Sequence, residues 1–140
     1  MTGGKMKKTV FELRVRYAET DKMGVAHHAS YFPWMEAART ELMRDLGMSY
    51  RELEDRGFSL PVREAFCRYR RSLRYDDIAV IEAEVLEMGG ASLKIGYRIS
   101  EKESGKQVAE GYTLHPFLDT HGKVVRIPDF FQSLFDSAER

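Results

Sequence analysis

Cysteine is almost missing from this chain. Its 140 residues include one, Cys67, so no disulfide can form within it and no cysteine pair can grip a metal. Long apolar runs are missing too, and nothing approaches the ~18 consecutive apolar residues of a membrane-crossing helix. Met1 to Lys8 is polar and basic with no apolar stretch behind it, so it lacks the core of a secretory signal. Neither charge is in surplus: Lys plus Arg and Asp plus Glu each number 22, for a net charge of zero. Nucleic-acid binders carry a basic excess, so no nucleic-acid partner is expected. Repeats, low-complexity tracts and interdomain linkers are also lacking. The expectation is a cytoplasmic protein, one domain over residues 1–140, with 1–8 as a flexible N-terminus.

What is present is ordinary globular composition, 43% hydrophobic and 31% charged, with clear periodicities. Thr9 to Tyr17 alternates with period two and predicts a first strand. Ala18 to His28 breaks that pattern and holds Thr20, Asp21 and Gly24, which predicts a loop. From Ser30 the period becomes helical: Tyr31, Trp34, Met35, Ala38, Leu42 and Leu46 recur at three and four residues, and Gly47 marks the stop. Pro33 fits the first turn. Ser49 to Glu52 matches a capping box, so a short helix runs to Arg56. Strands follow, with Phe58 to Arg71 extended and mixed, then Asp77 to Met88, Ala91 to Ser100 and Val108 to Leu118, joined by short turns. Pro128-Asp129 opens a C-terminal helix carrying Phe130, Phe131 and Phe135.

Short turns require antiparallel neighbours, and the long helix must bury its apolar stripe against the only large apolar surface, the sheet. The spacing therefore predicts an α+β fold, a curved antiparallel sheet of about five strands wrapped around one long central helix.

The segment Tyr17-Ala18-Glu19-Thr20-Asp21-Lys22-Met23-Gly24-Val25-Ala26-His27-His28-Ala29-Ser30-Tyr31 resembles the signature of the 4-hydroxybenzoyl-CoA thioesterase family. Met35 to Glu41 in the helix and Leu86 to Leu93 in the sheet resemble the same family. The similarity extends from about Phe11 to Pro128 and is nearest to the bacterial subgroup associated with the Tol–Pal gene cluster. It implies the hot-dog fold and an acyl-coenzyme A thioesterase. Two departures bear on substrate preference: Lys22-Met23 replaces small residues that often follow the acidic position, and Gly90 stands where relatives often have arginine.

The resemblance also implies roles. Asp21 either attacks the thioester carbonyl or activates water as general base; read without the motif, an aspartate before Gly24 is a turn residue. Gly24 lets the backbone bend close to substrate. The helix start is the oxyanion site, with the His28 amide as leading donor and Ala29 next, since the first amides of a helix lack partners and carry positive potential. This requires the Asp21 carboxyl to face those amides with room for a carbonyl carbon between them. His28 and Tyr17 sit at polar active-site positions of the subgroup, although His28 also reads as a cap and Tyr17 as a core residue. Glu19 either raises the proton affinity of Asp21 or is salt-bridged. Cys67 lacks a base and reads as a small core residue.

Coenzyme A phosphates call for arginine, and Arg63, Arg68, Arg70, Arg71, Arg74 and Arg98 are candidates, with Arg63 and Arg74 foremost. Ser92 and Gly90, at the Gly89-Gly90 turn, lie where relatives contact the cofactor part of the substrate. A thioester is reactive enough that no metal or cofactor is required, and none is expected. The implied partners are acyl-CoA, acyl carrier protein as a further candidate, and a second copy in a homodimer or homotetramer. Two other functions share the fold: a non-catalytic binder of acyl-CoA or acyl carrier protein, and a hydratase or dehydratase pairing His28 with Asp21.

Overall fold

The computed structural model describes residues 8–138, with backbone alone for 136–138. The expected flexible N-terminus thus falls outside the described residues, except for Lys8, which opens the first strand. The elements are β1 (Lys8–Arg14), α1 (Tyr31–Leu46), α2 (Tyr50–Asp55), β2 (Glu64–Tyr69), β3 (Ile78–Met88), β4 (Ser92–Glu101), β5 (Gln107–Pro116) and α3 (Asp129–Ala138). Two 3-10 turns, Tyr17–Glu19 and His28–Ser30, lie between β1 and α1.

The five strands form one sheet in the order β1-β3-β4-β5-β2, and every pairing is antiparallel. This is the hot-dog arrangement. The short turns make β3, β4 and β5 a meander, while β1 and β2 close its two edges. β1 ends three residues before Tyr17, because the chain turns there: Glu19 folds back and its carboxylate accepts the Arg16 amide at 2.8 Å. Tyr17 is consequently exposed, which corrects its reading as a core residue.

The predicted stripe of α1 is the buried one: Tyr31, Trp34, Met35, Ala38, Leu42 and Leu46, with Met43 added. It lies on the inward residues of β3 and β4, among them Ile81, Val85, Leu93 and Ile99. Each such large aliphatic side chain contributes about 2 kcal/mol by leaving water. The helix crosses the sheet obliquely. Its last turn meets β1, where the Thr9 hydroxyl donates to Asp45 at 2.6 Å, and its start meets β2, where the Tyr69 hydroxyl donates to the His28 carbonyl at 3.0 Å. Gly111 of β5 makes this close packing possible. A Cβ there would sit 2.1 Å from the Phe66 carbonyl oxygen and 3.0 Å from the Met35 methyl.

α2 starts on the expected capping box, with Ser49 and Glu52 exchanging side-chain and backbone bonds. The C-terminal aromatics pack within the chain: Phe131 and Phe135 are buried, Phe131 lies against Phe117, and Phe130 lies against Phe58.

One polar chain runs through the core. His115 is fully buried, with Nδ1 3.0 Å from the Leu60 carbonyl and Nε2 2.7 Å from the Thr113 hydroxyl, which in turn is 2.7 Å from the Tyr97 hydroxyl. A carbonyl can only accept, so Nδ1 carries the proton and Nε2 accepts from Thr113. Thr113 must then accept from Tyr97. Every donor has one direction, and the His115, Thr113 and Tyr97 side chains are each paired.

Candidate active site

The loop between β1 and α1 is built from its anchor upward. The Glu19 carboxylate accepts from the Arg16 amide, the Arg16 guanidinium at 3.2 Å and the Trp34 indole at 2.8 Å. Burial opposes its charge, but these donors outweigh burial and hold its carboxyl below the usual range. Glu19 therefore braces the loop against α1 as a salt-bridged residue. Its own carbonyl accepts the His27 amide at 2.7 Å, and a bridge joins Thr20 to Ala26.

Beyond that bridge the chain reverses. Asp21 donates its amide to Val25 and accepts the Gly24 amide on its carbonyl, which puts Gly24 at φ +79. That is the left-handed conformation glycine adopts without strain. One carboxylate oxygen of Asp21, Oδ1, accepts the Met23 amide at 2.8 Å and the Val25 amide at 3.4 Å. Oδ2 makes no hydrogen bond among the described residues, and the side chain is exposed. Asp21 is thus both a turn residue and an available carboxylate. Its loop is pinned to the segment before β3, where Ala26 donates to the Leu73 carbonyl and Val25 bridges Arg74. The Arg74 guanidinium lies 3.9 Å from where a Cβ of Gly24 would stand.

At the helix start the two histidine rings stack at 4.8 Å, both exposed. The Ala29 amide is taken by His27 Nδ1 at 3.2 Å, so the second expected oxyanion donor is already engaged. The His28 amide donates to nothing among the described residues. Tyr17 stands at the edge of this region, 79% exposed, with its ring edge-on to Tyr75 at 5.7 Å.

Asp21, Gly24, His28, Ala29, Tyr17 and Arg74 therefore share one end of the sheet. Arg63, Gly90 and Ser92 share the other. The Arg63 amide donates to Leu114 near the end of β5, Ser92 pairs with Pro116, and the Gly90 carbonyl accepts from Ile127. β3 spans its 11 residues between the two ends, about 33 Å of strand. Within one protomer these three residues do not meet Asp21. At their end lies a cleft of about 390 Å³, bounded by Glu36, Arg39, Tyr50, Glu54, Leu60 and Val62 among others. Asp21 does not line this cleft, nor the ones bounded by Asp76 and Lys102, by Pro33 and Thr40, or by Glu82 and Gly96.

Tyr31, Trp34 and Leu60 are buried in the core, whereas Met23 is 80% exposed. Arg70 is paired with Glu110, and Arg68 lies over the Phe66 ring. Cys67 sits half-buried in β2, where burial pushes its thiol up, as suits a core residue. Tyr69 was not foreseen. It lies on β2, a strand legible only as extended chain, and no spacing in the sequence ties it to residue 28. No group of three or more His, Cys, Asp or Glu among the described residues could hold a metal ion.

Comparison with known proteins agrees with this architecture. YneP of Bacillus subtilis strain 168 is 41% identical over 88 residues, which are 63% of this chain and 64% of that protein. The acyl-CoA thioester hydrolase YbgC of Escherichia coli O6:H1 is 37% identical over 101 residues, 71% of this chain and 75% of that one. A crystal structure of a DHNA-CoA thioesterase from Staphylococcus aureus superposes with a TM-score of 0.85 at 30% identity, over 94% of this chain and 87% of the other. The profile of the thioesterase-like superfamily matches residues 15–135, and the chain belongs to that superfamily.

Proposed function

We propose that this chain hydrolyses acyl-coenzyme A thioesters at a site completed by two copies of it, with Asp21 as nucleophile or general base and the His28 amide as oxyanion donor. Its being a thioester hydrolase rests on the superfamily and on relatives named for that activity. The observation that carries the finer reading is the pairing, on one braced loop, of a carboxylate with an unengaged oxygen and a helix-start amide with no partner. Asp21 Oδ2 either attacks the carbonyl and expels the coenzyme A thiolate, giving an anhydride that water opens, or takes the proton of an attacking water. The His28 N–H receives the charge that develops on the carbonyl oxygen.

The second copy supplies the walls. β2 is an edge strand in which every residue but Cys67 is exposed, including Phe66 and Tyr69. Native proteins cover such edges, and the commonest cover is an identical strand across a two-fold axis. Antiparallel pairing of β2 with its copy brings the Asp21 end of one protomer to the end of the other that holds Arg63, Gly90, Ser92 and the polar cleft. A homodimer would therefore reunite residues that one chain holds apart, with the arginines facing coenzyme A phosphates and the cleft facing the acyl group; a homotetramer would repeat this unit.

The hydratase reading needs His28 to work with Asp21. The His28 ring stacks on His27 and meets the edge of Tyr69, while Asp21 binds its own loop, so no such pair forms among the described residues. Membership of the Tol–Pal-associated subgroup, a cytoplasmic location, one domain over 1–140 and acyl carrier protein as an alternative thioester carrier are part of the same proposal. No described helix is long and apolar enough to cross a membrane.

Thiol release from short, long and aromatic acyl-CoAs tests the function. Turnover of at least one class is expected. Tight binding of every class without thiol release would assign the chain to the non-catalytic binders instead.

A further inference from the structure

The His28 amide is held in place by four hydrogen bonds to the peptides on either side of it. The peptide before it is fixed through the His27 carbonyl, which accepts the Ser30 amide at 2.9 Å. The peptide after it is fixed on both sides: His27 Nδ1 takes the Ala29 amide, and the His28 carbonyl accepts both the Tyr31 amide and, at 3.0 Å, the Tyr69 hydroxyl. With both flanking peptide planes held, the direction of the free N–H is set. Three of these clamps are local to residues 27–31. The fourth crosses 41 residues of sequence and comes from the edge strand.

We infer that Tyr69 is a positioning residue that aims the His28 amide and ties that aim to the edge strand β2. The inference rests on the reading of that amide as the oxyanion donor. Tyr69 is suited to the task. Its ring is wedged edge-on against His28 at 6.2 Å and against the buried Tyr31 at 5.0 Å, which leaves the hydroxyl little freedom to leave the carbonyl. Burial, with Cys67 and Tyr31 beside it, pushes the phenol up to about 12, so it keeps its proton and remains a donor throughout the neutral range. Because β2 is also the strand proposed to pair between copies, covering that edge steadies the same tyrosine that holds the oxyanion amide. Association and catalysis are thereby coupled through one hydroxyl. The Tyr31 amide also donates to the His28 carbonyl within the 3-10 turn, but Tyr69 alone links that carbonyl to β2 among the described residues.

Tyr69→Phe removes the hydroxyl and keeps the ring. Loss of a whole oxyanion donor lowers the rate on the order of a hundredfold or more, so a misaimed donor should lower kcat by about tenfold while KM stays within about threefold. Melting temperature and oligomeric state should match wild type, and the carbonyl carbon resonance of His28 should shift in the NMR spectrum as one of its two hydrogen bonds is lost. Tyr112→Phe serves as the control: its hydroxyl reaches only Glu64 at 3.5 Å on the outer face, and kcat should not change. Asp21→Asn is assayed beside them. An inactive Asp21→Asn with an unchanged kcat in Tyr69→Phe overturns the role of Tyr69 alone. A fall in kcat accompanied by equal loss of stability or of the oligomer overturns it in favour of a purely structural role, as does an unmoved His28 carbonyl resonance. Full activity in Asp21→Asn, or no turnover by wild type, overturns the reading of the site and this role with it.

Discussion

Thr113→Val tests the directed polar chain in the core. Valine matches threonine in shape, so packing is nearly preserved and the change removes one hydroxyl from a residue 2% exposed. That hydroxyl donates to His115 Nε2 and accepts from Tyr97, each at 2.7 Å. Both partners then lose their only side-chain bond to each other's network, deep in the protein. An unsatisfied buried polar group costs about 1–3 kcal/mol, so the substitution should destabilise by roughly 2–5 kcal/mol. In a chain of this size that is a fall in melting temperature on the order of 10 °C. Tyr97→Phe removes the donor that Thr113 no longer needs in the variant. The double variant should therefore be more stable than the sum of the single losses implies, by about 1 kcal/mol or more. Urea unfolding of wild type, both singles and the double gives all four corners of the cycle. Strict additivity, or a Thr113→Val loss below about 0.5 kcal/mol, would show that these groups do not act as a connected chain.

Other perturbations follow from the same geometry. Gly111→Ala places a methyl 2.1 Å from the Phe66 carbonyl, so β2 must move away from β5; we expect a loss of about 3 kcal/mol or more, together with a shift toward monomer, and native-like stability would refute the close approach. His115 is pushed down to about 4, first by burial and further by Arg39, against the pull of the Leu60 carbonyl, while an unfolded histidine titrates near 6.5. Between these values the unfolded state holds more protons, so the contribution is complete above about pH 6.5 and is lost as pH falls through 4, about 3 kcal/mol in all. Urea midpoints across that window should drop less steeply for His115→Asn than for wild type, and parallel curves would place the acid sensitivity elsewhere.

The fold was largely legible in the sequence because its periods are strong. The α1 stripe, the Gly47 stop and the Ser49 box all depend on neighbours within one turn, and the meander β3-β4-β5 is spelled by its short turns. The Asp21 loop was legible through its motif. What stayed hidden is non-local. Nothing near Tyr69 signals that it will meet residue 28, since that contact depends on β2 pairing with β5 at the far edge from β1. Glu19 was open between two roles until Trp34, fifteen residues on, was seen to bind it. Arg63, Gly90 and Ser92 were grouped with Asp21 by resemblance, and one protomer separates them by the length of β3. Reuniting them needs a second chain, which no single sequence displays.

The most direct measurement is turnover by Asp21→Asn on the best acyl-CoA found for wild type, at saturating substrate, with the variant shown to fold and associate normally. Asparagine keeps the oxygen that accepts the Met23 amide and so preserves the turn, while removing the charge needed for attack or proton transfer. We predict that kcat falls by at least about a hundredfold with thiol release otherwise unchanged in stoichiometry. A variant that hydrolyses the thioester at the wild-type rate would contradict the account.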